Sequence, residues 1–370
     1  MLRRKRVWIG LAVSAACLYL VFASLDPGAL GDALGRVNPV FIIPALGVFF
    51  GGVWLRSLRW RLLLRPALTP AQRDRLGTWA LFRVLVVGLT VNNLLPARLG
   101  EIARAYLLWR EQRVEPGATI ATIVLERVLD GLTLALFAGI AALLVPFPEQ
   151  LRRAALVAGG VFVLAAAGLV VFLLLPAPVL RLARWLLRWL PSRMAYLGER
   201  LLQTFVEGLG VLRQGRALLA VLGLSLLAWL AEATMYFLIM LGFPFPVHFA
   251  AALLGAAAAN IGTMVPSSPG YVGTFDLPLQ LVLVEVFKVA RADATSYTLI
   301  VHAALVAPVI LLGLLFLWQD WRQVDGEEAA RPRGVFAALG VLARQRPGGV
   351  PSPGSGGPLP APPHQPRMDR

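Results

Sequence analysis

One cysteine, Cys17, is all the thiol chemistry this chain possesses. A lone thiol excludes a disulfide framework and a thiolate zinc site alike. Histidine is nearly as scarce, with three in 370 residues. His248 stands at a loop end and His302 alone in an apolar run, neither with a carboxylate at ligand spacing, so no metal is expected. Lysine occurs only at Lys5 and Lys288. Charged residues make up 15% of the chain and hydrophobic ones 58%, against about 25% charged in soluble domains. That balance excludes an ordinary soluble protein. Also missing are the phosphate-binding loop G-x-x-x-x-G-K-[ST], the nucleophile elbow G-x-S-x-G, the zinc motif H-E-x-x-H and a nucleotide-binding glycine fingerprint. Neither self-powered nucleotide hydrolysis nor a bound cofactor is expected.

What remains is apolar length and arginine. A membrane helix needs ~20 largely apolar residues, and such runs lie near 7–25, 39–58, 79–96, 118–145, 154–175, 216–242, 249–265, 271–290 and 297–319. The net charge of +15 sits between them, as in loops facing an anionic cytoplasmic leaflet, so nucleic acid is not an expected partner. The opening MLRRKR followed by Val7–Ser24 has a signal-peptide outline. Its apolar run is long and further spans follow, which favours an uncleaved first span.

Arginine placement sets orientation. Basic residues 1–6 and the arginines at 56, 59, 61, 65, 73 and 75 belong inside. A complete crossing by 79–96 would then put Arg98, Arg104, Arg110 and Arg113 outside, and later Arg181 to Arg200 as well. A re-entrant hairpin removes the conflict: 79–95 enters from the cytoplasm, the chain turns near Leu95-Pro96, and 99–109 returns. The pair 249–265 and 271–290 reads either as a second hairpin or as two spans. Both termini fall inside.

The stretch PVLRLARWLLRWLPSRM spaces Arg181, Arg184 and Arg188 on one face, which suits an amphipathic helix at the inner interface, and Arg59-Trp60-Arg61 reads as an interfacial anchor. From about Gly326 the chain turns to Pro, Gly and Ser, a composition that does not fold. The expected organisation is a membrane domain over 1–325, with the amphipathic segment at 178–215, and a disordered cytoplasmic tail over 326–370.

Two short stretches share a pattern. Leu95-Pro96-Ala97-Arg98-Leu99-Gly100 and Val265-Pro266-Ser267-Ser268-Pro269-Gly270 both read [LV]-P-x-x-x-G, preceded by Asn92-Asn93 and by Asn260. Three expected spans separate them, so two hairpins would enter from opposite faces. Inverted repeats with broken helices are a transporter design, and unwound backbone at membrane depth is tolerable only beside a polar cavity. The helix after Gly100 would turn its positive end toward that cavity. Asn92, Asn93, Pro96, Arg98, Gly100, Glu101, Arg104, Pro266, Ser268 and Gly270 are therefore the candidate headgroup-binding and gating residues. Ser268 serves a turn equally well.

Charges inside apolar runs form the second group: Glu126, Arg127, Asp130, Glu232 and Asp276. A buried ionisable residue costs ~2.5–3.5 kcal/mol on insertion scales, so partners are required. Arg98 and Arg104 are the expected ones for Glu126 and Asp130, as a functional site or as a structural cluster. Glu232, the one charge of its run, is either a proton-titrating group or an arginine's partner.

The order LRWRLLL, NNLLPARLGEIARAYLL, ERVLDGL, PSSPGYVGTFD resembles the flippase-like family built on the transmembrane region of lysylphosphatidylglycerol synthase, over roughly residues 1–320. Asn93, Pro96, Arg98, Gly100, Glu101, Glu126, Asp130, Pro266 and Gly270 fall on its motif positions. The resemblance implies an inner-membrane protein with about eight membrane segments; with the topology read above, the expected fold is an all-α polytopic protein of a bacterial inner membrane with one or two re-entrant hairpins related as an inverted repeat. It also implies movement of lipids between leaflets; stand-alone members are tied to lipid or lipid-linked sugar handling. The family's aminoacyl-transferase domain is absent here, so lysyl transfer is not expected. The expected function is translocation of an anionic phospholipid or lipid-linked headgroup. Two alternatives stand beside it. One is a membrane transferase on phospholipid or polyprenyl-linked sugar with Glu126 or Asp130 as general base. The other is a non-catalytic partner of a separate synthase or glycosyltransferase.

Overall fold

The computed structural model describes residues 27–95, 98–145, 176–189, 215–246, 248–265 and 267–322, with shorter stretches inside 12–21 and 153–199. No strand occurs among them, as suits apolar segments whose backbone groups must pair within the segment itself. The helices are α1 (Pro27–Gly35), α2 (Ile42–Leu64), α3 (Pro70–Arg75), α4 (Thr78–Leu94), α5 (Leu99–Gln112), α6 (Pro116–Leu144), α7 (Pro176–Leu187), α8 (Gly215–Met240), α9 (Phe249–Gly262), α10 (Asp276–Leu281) and α11 (Arg291–Arg322). Local signals place several starts. Asn38 accepts from Val40 N ahead of α2, Thr69 and Gln72 close a capping box on α3, and Pro116 opens α6.

Four helical stretches are long and apolar enough to cross a membrane: Pro39–Ala67, Pro116–Leu144, Gly215–Met240 and Arg291–Asp320. The apolar helices α4 and α9 are shorter, at 17 and 14 residues. Most residues of the expected first span, of the 154–175 span and of 190–214, and the whole 326–370 tail, lie outside the described residues, as do Pro96 and Pro266. The amphipathic stretch does form a helix, α7, where Trp185 meets Trp189 edge-on.

Residues 271–290, read from sequence as an apolar run of span length, do not make one continuous helix. A 3₁₀ turn at Pro269–Tyr271 leads through a loop to α10, and a π-helical turn follows at Val282–Val286. Gly270 and Gly273 have positive φ (71° and 85°) and Tyr271 adopts 57°, so the chain cannot run helically through this region.

Two antiparallel helical hairpins result. In the first, α4 and α5 close on each other through glycines: a Cβ on Gly88 would lie 2.5 Å from Arg104 Cγ, and one on Gly100 would collide with the Gly88 carbonyl and with Asn92. Asn92 Oδ1 accepts from Gly100 N at 2.8 Å, tying the turn shut. In the second, Gly262 abuts Thr274 and Pro278, and Gly255 abuts Leu279. The helices α2 and α8 pack along their lengths, with Gly52 facing Ala228 and Ala231, the small-residue contact that lets membrane helices approach. On the far side of α4, Gly313 of α11 makes room for Thr90, whose hydroxyl reaches Val309 O at 2.9 Å.

Glycine at position 100 is thus a steric requirement. Gly100→Ala is expected to lower the thermal midpoint of the purified protein by the equivalent of about 1–3 kcal/mol, the usual cost of overpacking. A Cβ on Gly139 of α6 meets nothing within 4 Å. Gly139→Ala should leave the midpoint unchanged or raise it, because alanine is the better helix former. Size-exclusion profiles after graded heating read both.

Candidate functional site

The spacing of α2 sets two arginines on one face, Arg56 and Arg59, one helical turn apart. Arg59 is 1% exposed. Its Nη1 donates to Asp130 Oδ1 at 2.7 Å and to Ser225 Oγ at 3.0 Å, joining α2 to α6 and α8. Arg56 Nη2 donates to Glu232 Oε2 at 2.6 Å while its guanidinium lies 4.5 Å from the Trp229 ring centre. Trp229 Nε1 donates to the same Asp130 oxygen at 2.9 Å, and Asn260 Nδ2 to the second Glu232 oxygen at 2.8 Å. In the first hairpin, both Nη atoms of Arg104 reach Glu126, at 2.9 and 3.3 Å. The Arg104 guanidinium stacks 3.8 Å over Trp60, whose Nε1 donates to Thr122 Oγ1.

These groups border a cavity of about 180 Å³. Arg56, Arg59, Arg98, Arg104 and Arg127 line it opposite Glu101, Glu126, Asp130 and Glu232. Five cations against four carboxylates leave one positive charge in excess. The excess has an address. Arg98 makes no ion pair among the described residues; its Nη2 donates to the Thr263 carbonyl at 2.9 Å, and its guanidinium lies 5.9 Å from the Tyr271 ring centre. Arg127 is held more loosely than the buried arginines, 3.5 Å from Asp130 and 3.9 Å from Glu101, and its side chain is 44% exposed.

The two Pro/Gly tips meet at this point. Arg98 belongs to the first, Thr263 and Tyr271 to the second, and Gly270 lies against the Asn93 carbonyl. Arg98 itself is left-handed, at φ 53°, a conformation that costs a non-glycine residue of order 1 kcal/mol. Asn93 lines the cavity, and its side chain makes no hydrogen bond among the described residues.

Most sequence candidates therefore converge. Asn92, Asn93, Arg98, Glu101, Arg104, Glu126, Arg127, Asp130, Glu232 and Gly270 all border the cavity. Several expected pairings change. Arg104 does meet Glu126, but Asp130 takes Arg59 and Arg127 instead of Arg98. Glu232 is an arginine's partner. The Gly100 N–H is committed to Asn92 and so does not present itself to a ligand. Ser268 adjoins the Pro269–Tyr271 turn and is not among the cavity-lining residues. Asp276 sits behind the lining, 1% exposed. Three further readings need correction. Arg59 and Trp60 are buried rather than interfacial. Arg56, Trp229, Tyr271 and His302 line the cavity without having been singled out for it. His302, read as lacking a carboxylate, has Asp276 at 2.7 Å.

Removing one member of a buried pair strands the other. Glu126→Ala is expected to destabilise the protein by about 3–5 kcal/mol, whereas the volume-matched double change Arg104→Met/Glu126→Leu should recover most of that loss. Thermal midpoints in lipid nanodiscs measure the cycle. A double variant no better than the single one would show that the loss does not come from the stranded Arg104 charge.

Comparison with known proteins places the chain among membrane proteins. It is 25% identical over 343 residues to a protein named glycosyltransferase AglD from Haloferax volcanii, covering 84% of this chain and 54% of that relative. The chain thus spans about half the length of the archaeal glycosyltransferase. It is 26% identical to a UPF0104 membrane protein of Methanothermobacter thermautotrophicus, over 72% of this chain and 81% of the relative. No solved structure matches. The family described as the lysylphosphatidylglycerol synthase TM region matches residues 7–313, a range that takes in both tips and every charge around the cavity. The chain is a member of that family.

Proposed function

We propose that the chain is a lipid translocase of a bacterial inner membrane, moving an anionic phospholipid or lipid-linked headgroup between leaflets. The observation that carries this reading is Arg98, the one cavity-lining cation without an ion pair among the described residues, set where the two hairpin tips touch. A phosphate oxygen there would take charge-assisted hydrogen bonds from Arg98, with Arg127 and the Asn93 amide beside it. Arg104, expected at first to share the headgroup, is occupied by Glu126 and Trp60. It acts in this reading as a support for α5.

In the same reading both hairpins are re-entrant, entering from opposite faces, within about eight membrane segments and with both termini cytoplasmic. Helix length favours this. At 1.5 Å per residue α4 extends about 25 Å and α9 about 21 Å, short of the ~30 Å hydrocarbon core. Broken helices that meet at depth from two sides are the architecture of alternating access.

The transferase alternative draws on the name of the archaeal relative, and a separately encoded synthase or glycosyltransferase is a natural partner in either case. Its proposed bases are poorly placed. Glu126 is bound by both Nη atoms of Arg104, and Asp130 by Arg59, Arg127 and Trp229. In each, both carboxylate oxygens already face arginine nitrogens, which leaves poor access for a substrate hydroxyl.

Reconstitution into liposomes with leaflet-labelled lipids tests the proposal. Headgroup-dependent movement above empty liposomes is expected for at least one anionic lipid, and its absence across all those tried would sink the translocase. Arg98→Ala should slow that movement about ten- to a hundredfold, as fits loss of a hydrogen bond to a charged group worth ~1.5–3 kcal/mol. An unchanged rate would remove Arg98 from the site. For topology, a cysteine placed at Glu111 in a Cys17→Ser background should react with a membrane-impermeant maleimide from the cytoplasmic side alone. Periplasmic labelling would overturn the first re-entrant hairpin.

A further inference from the structure

His302 on α11 lines the cavity with its side chain 13% exposed, and its ring lies 4.6 Å from that of Phe275. Both ring nitrogens are engaged. Nε2 is 2.8 Å from the Gly270 carbonyl oxygen, at the second hairpin tip, and Nδ1 is 2.7 Å from Asp276 Oδ1. Asp276 is almost fully buried and its other oxygen accepts from Gly273 N at 2.7 Å. Nothing in the ion-pair lattice of Arg56, Arg59 and Arg104 involves this group.

The hydrogen count constrains its state. A carbonyl oxygen only accepts, so Nε2 must carry a hydrogen. The contact with Asp276 needs a second hydrogen, on Nδ1 or on the carboxyl group. A neutral imidazole beside an ionised carboxylate owns only one. Both bonds can exist together only when the pair holds one additional proton.

We propose that His302 and Asp276 form a proton-binding site that latches the second hairpin tip to α11. When the proton leaves through the cavity, one hydrogen remains for two acceptors. A hydrogen bond to a carboxylate is roughly twice as strong as one to a neutral carbonyl, so the hydrogen stays on Nδ1 and Gly270 is released. The latch is closed at low pH and opens as pH rises past the pair's titration. The released segment is strained at Tyr271, which is left-handed next to a glycine that takes that hand freely, and Tyr271 faces Arg98 of the opposite tip. The consequence for transport rests on the translocase reading: proton loss would free one gate of the headgroup site. The chemistry of the latch does not rest on it.

Other titratable and charged groups face the site from each neighbouring element. Tyr236 and Cys17 lie within electrostatic reach of Asp276 from α8 and from the first helical stretch. Glu232 of α8 borders the same cavity with its charge matched by Arg56. Arg98, Arg127 and Glu101 act on Tyr271 from the first hairpin and α6. With the lattice carboxylates held by arginines, His302 gives the pair its access to the cavity.

The test places a bimane fluorophore on the second tip through Val265→Cys in a Cys17→Ser background; Val265 is exposed. In nanodiscs of phosphatidylethanolamine and phosphatidylglycerol, the emission is expected to follow a single-proton transition with pH. His302→Gln and Asp276→Asn should each abolish it, glutamine still being able to donate to Gly270. A flat profile without these substitutions, or the same transition in both variants, overturns the latch. Nitrogen NMR of ¹⁵N-histidine-labelled protein needs no change at the site, because His248→Gln and His364→Gln leave one histidine. Its ring nitrogens should titrate together with the fluorophore, and a ring that does not follow the same transition also overturns it. Leaflet-labelled liposomes separate the two proposals. A titrating tip without lipid movement removes the translocase and keeps the latch, whereas lipid movement with a non-titrating tip does the reverse.

Discussion

A buried arginine must find a carboxylate, and the arrangement of this protein follows from meeting that need three times. Dehydrating a charge costs several kcal/mol per ion, repaid only where geometry is good and the remaining donors are also used. Arg59 finds Asp130 and Ser225, Arg56 finds Glu232, and Arg104 finds Glu126, although the Nε of each has no hydrogen-bond partner among the described residues. Indole rings of Trp229 and Trp60 cover two of the guanidiniums. The pairs are not interchangeable. Each joins a different combination of helices, so together they place α2, α5, α6 and α8 around one polar space. The hairpin α4–α5 hangs on this frame through Arg104 alone among its buried cations.

Much of this was legible because polar residues are conspicuous in an apolar chain. The Pro/Gly/Asn tips and the charges at 126, 127, 130 and 232 stood out from their neighbours, and all those that are described lie at or beside the cavity. What sequence did not convey was partnership across distance. Asp130 and Arg59 are 71 residues apart and Glu232 and Arg56 are 176 apart, and no local spacing links them. Arg59 was misread for a good reason: arginine next to tryptophan at the end of an apolar run usually marks an interface. Burial there becomes visible only once α6 and α8 are packed against it. His302 escaped notice in the same way, since its carboxylate lies 26 residues earlier, beyond a break. That break was itself obscured by the apolar composition of residues 271–290, where only Gly270 and Gly273 announce a change of backbone hand.

The contrast between frame and tips is energetic as well as geometric. The frame is built from paired charges and close helix contacts. The tips carry left-handed non-glycine residues, Arg98 at one and Tyr271 at the other, joined among the described residues by the Arg98–Thr263 hydrogen bond, the Arg98–Tyr271 ring contact and the approach of Gly270 to the Asn93 carbonyl. Strain of this kind persists only where surrounding structure imposes it. The parts that touch the unpaired charge are thus the parts least expensive to rearrange.

The long reach of the Arg56–Glu232 pair bears on how the protein is made. Chain synthesis proceeds at about 5–20 residues per second, so the 176 residues between these partners take on the order of ten to thirty-five seconds to emerge. For that interval α2 has been delivered to the membrane with a cation whose counter-charge does not yet exist. Release of α2 into lipid as an isolated helix would be costly. The arginine that organises the finished cavity therefore favours retention of the first half at the insertion machinery until α8 arrives, and the two halves become a stable pair only as they are joined.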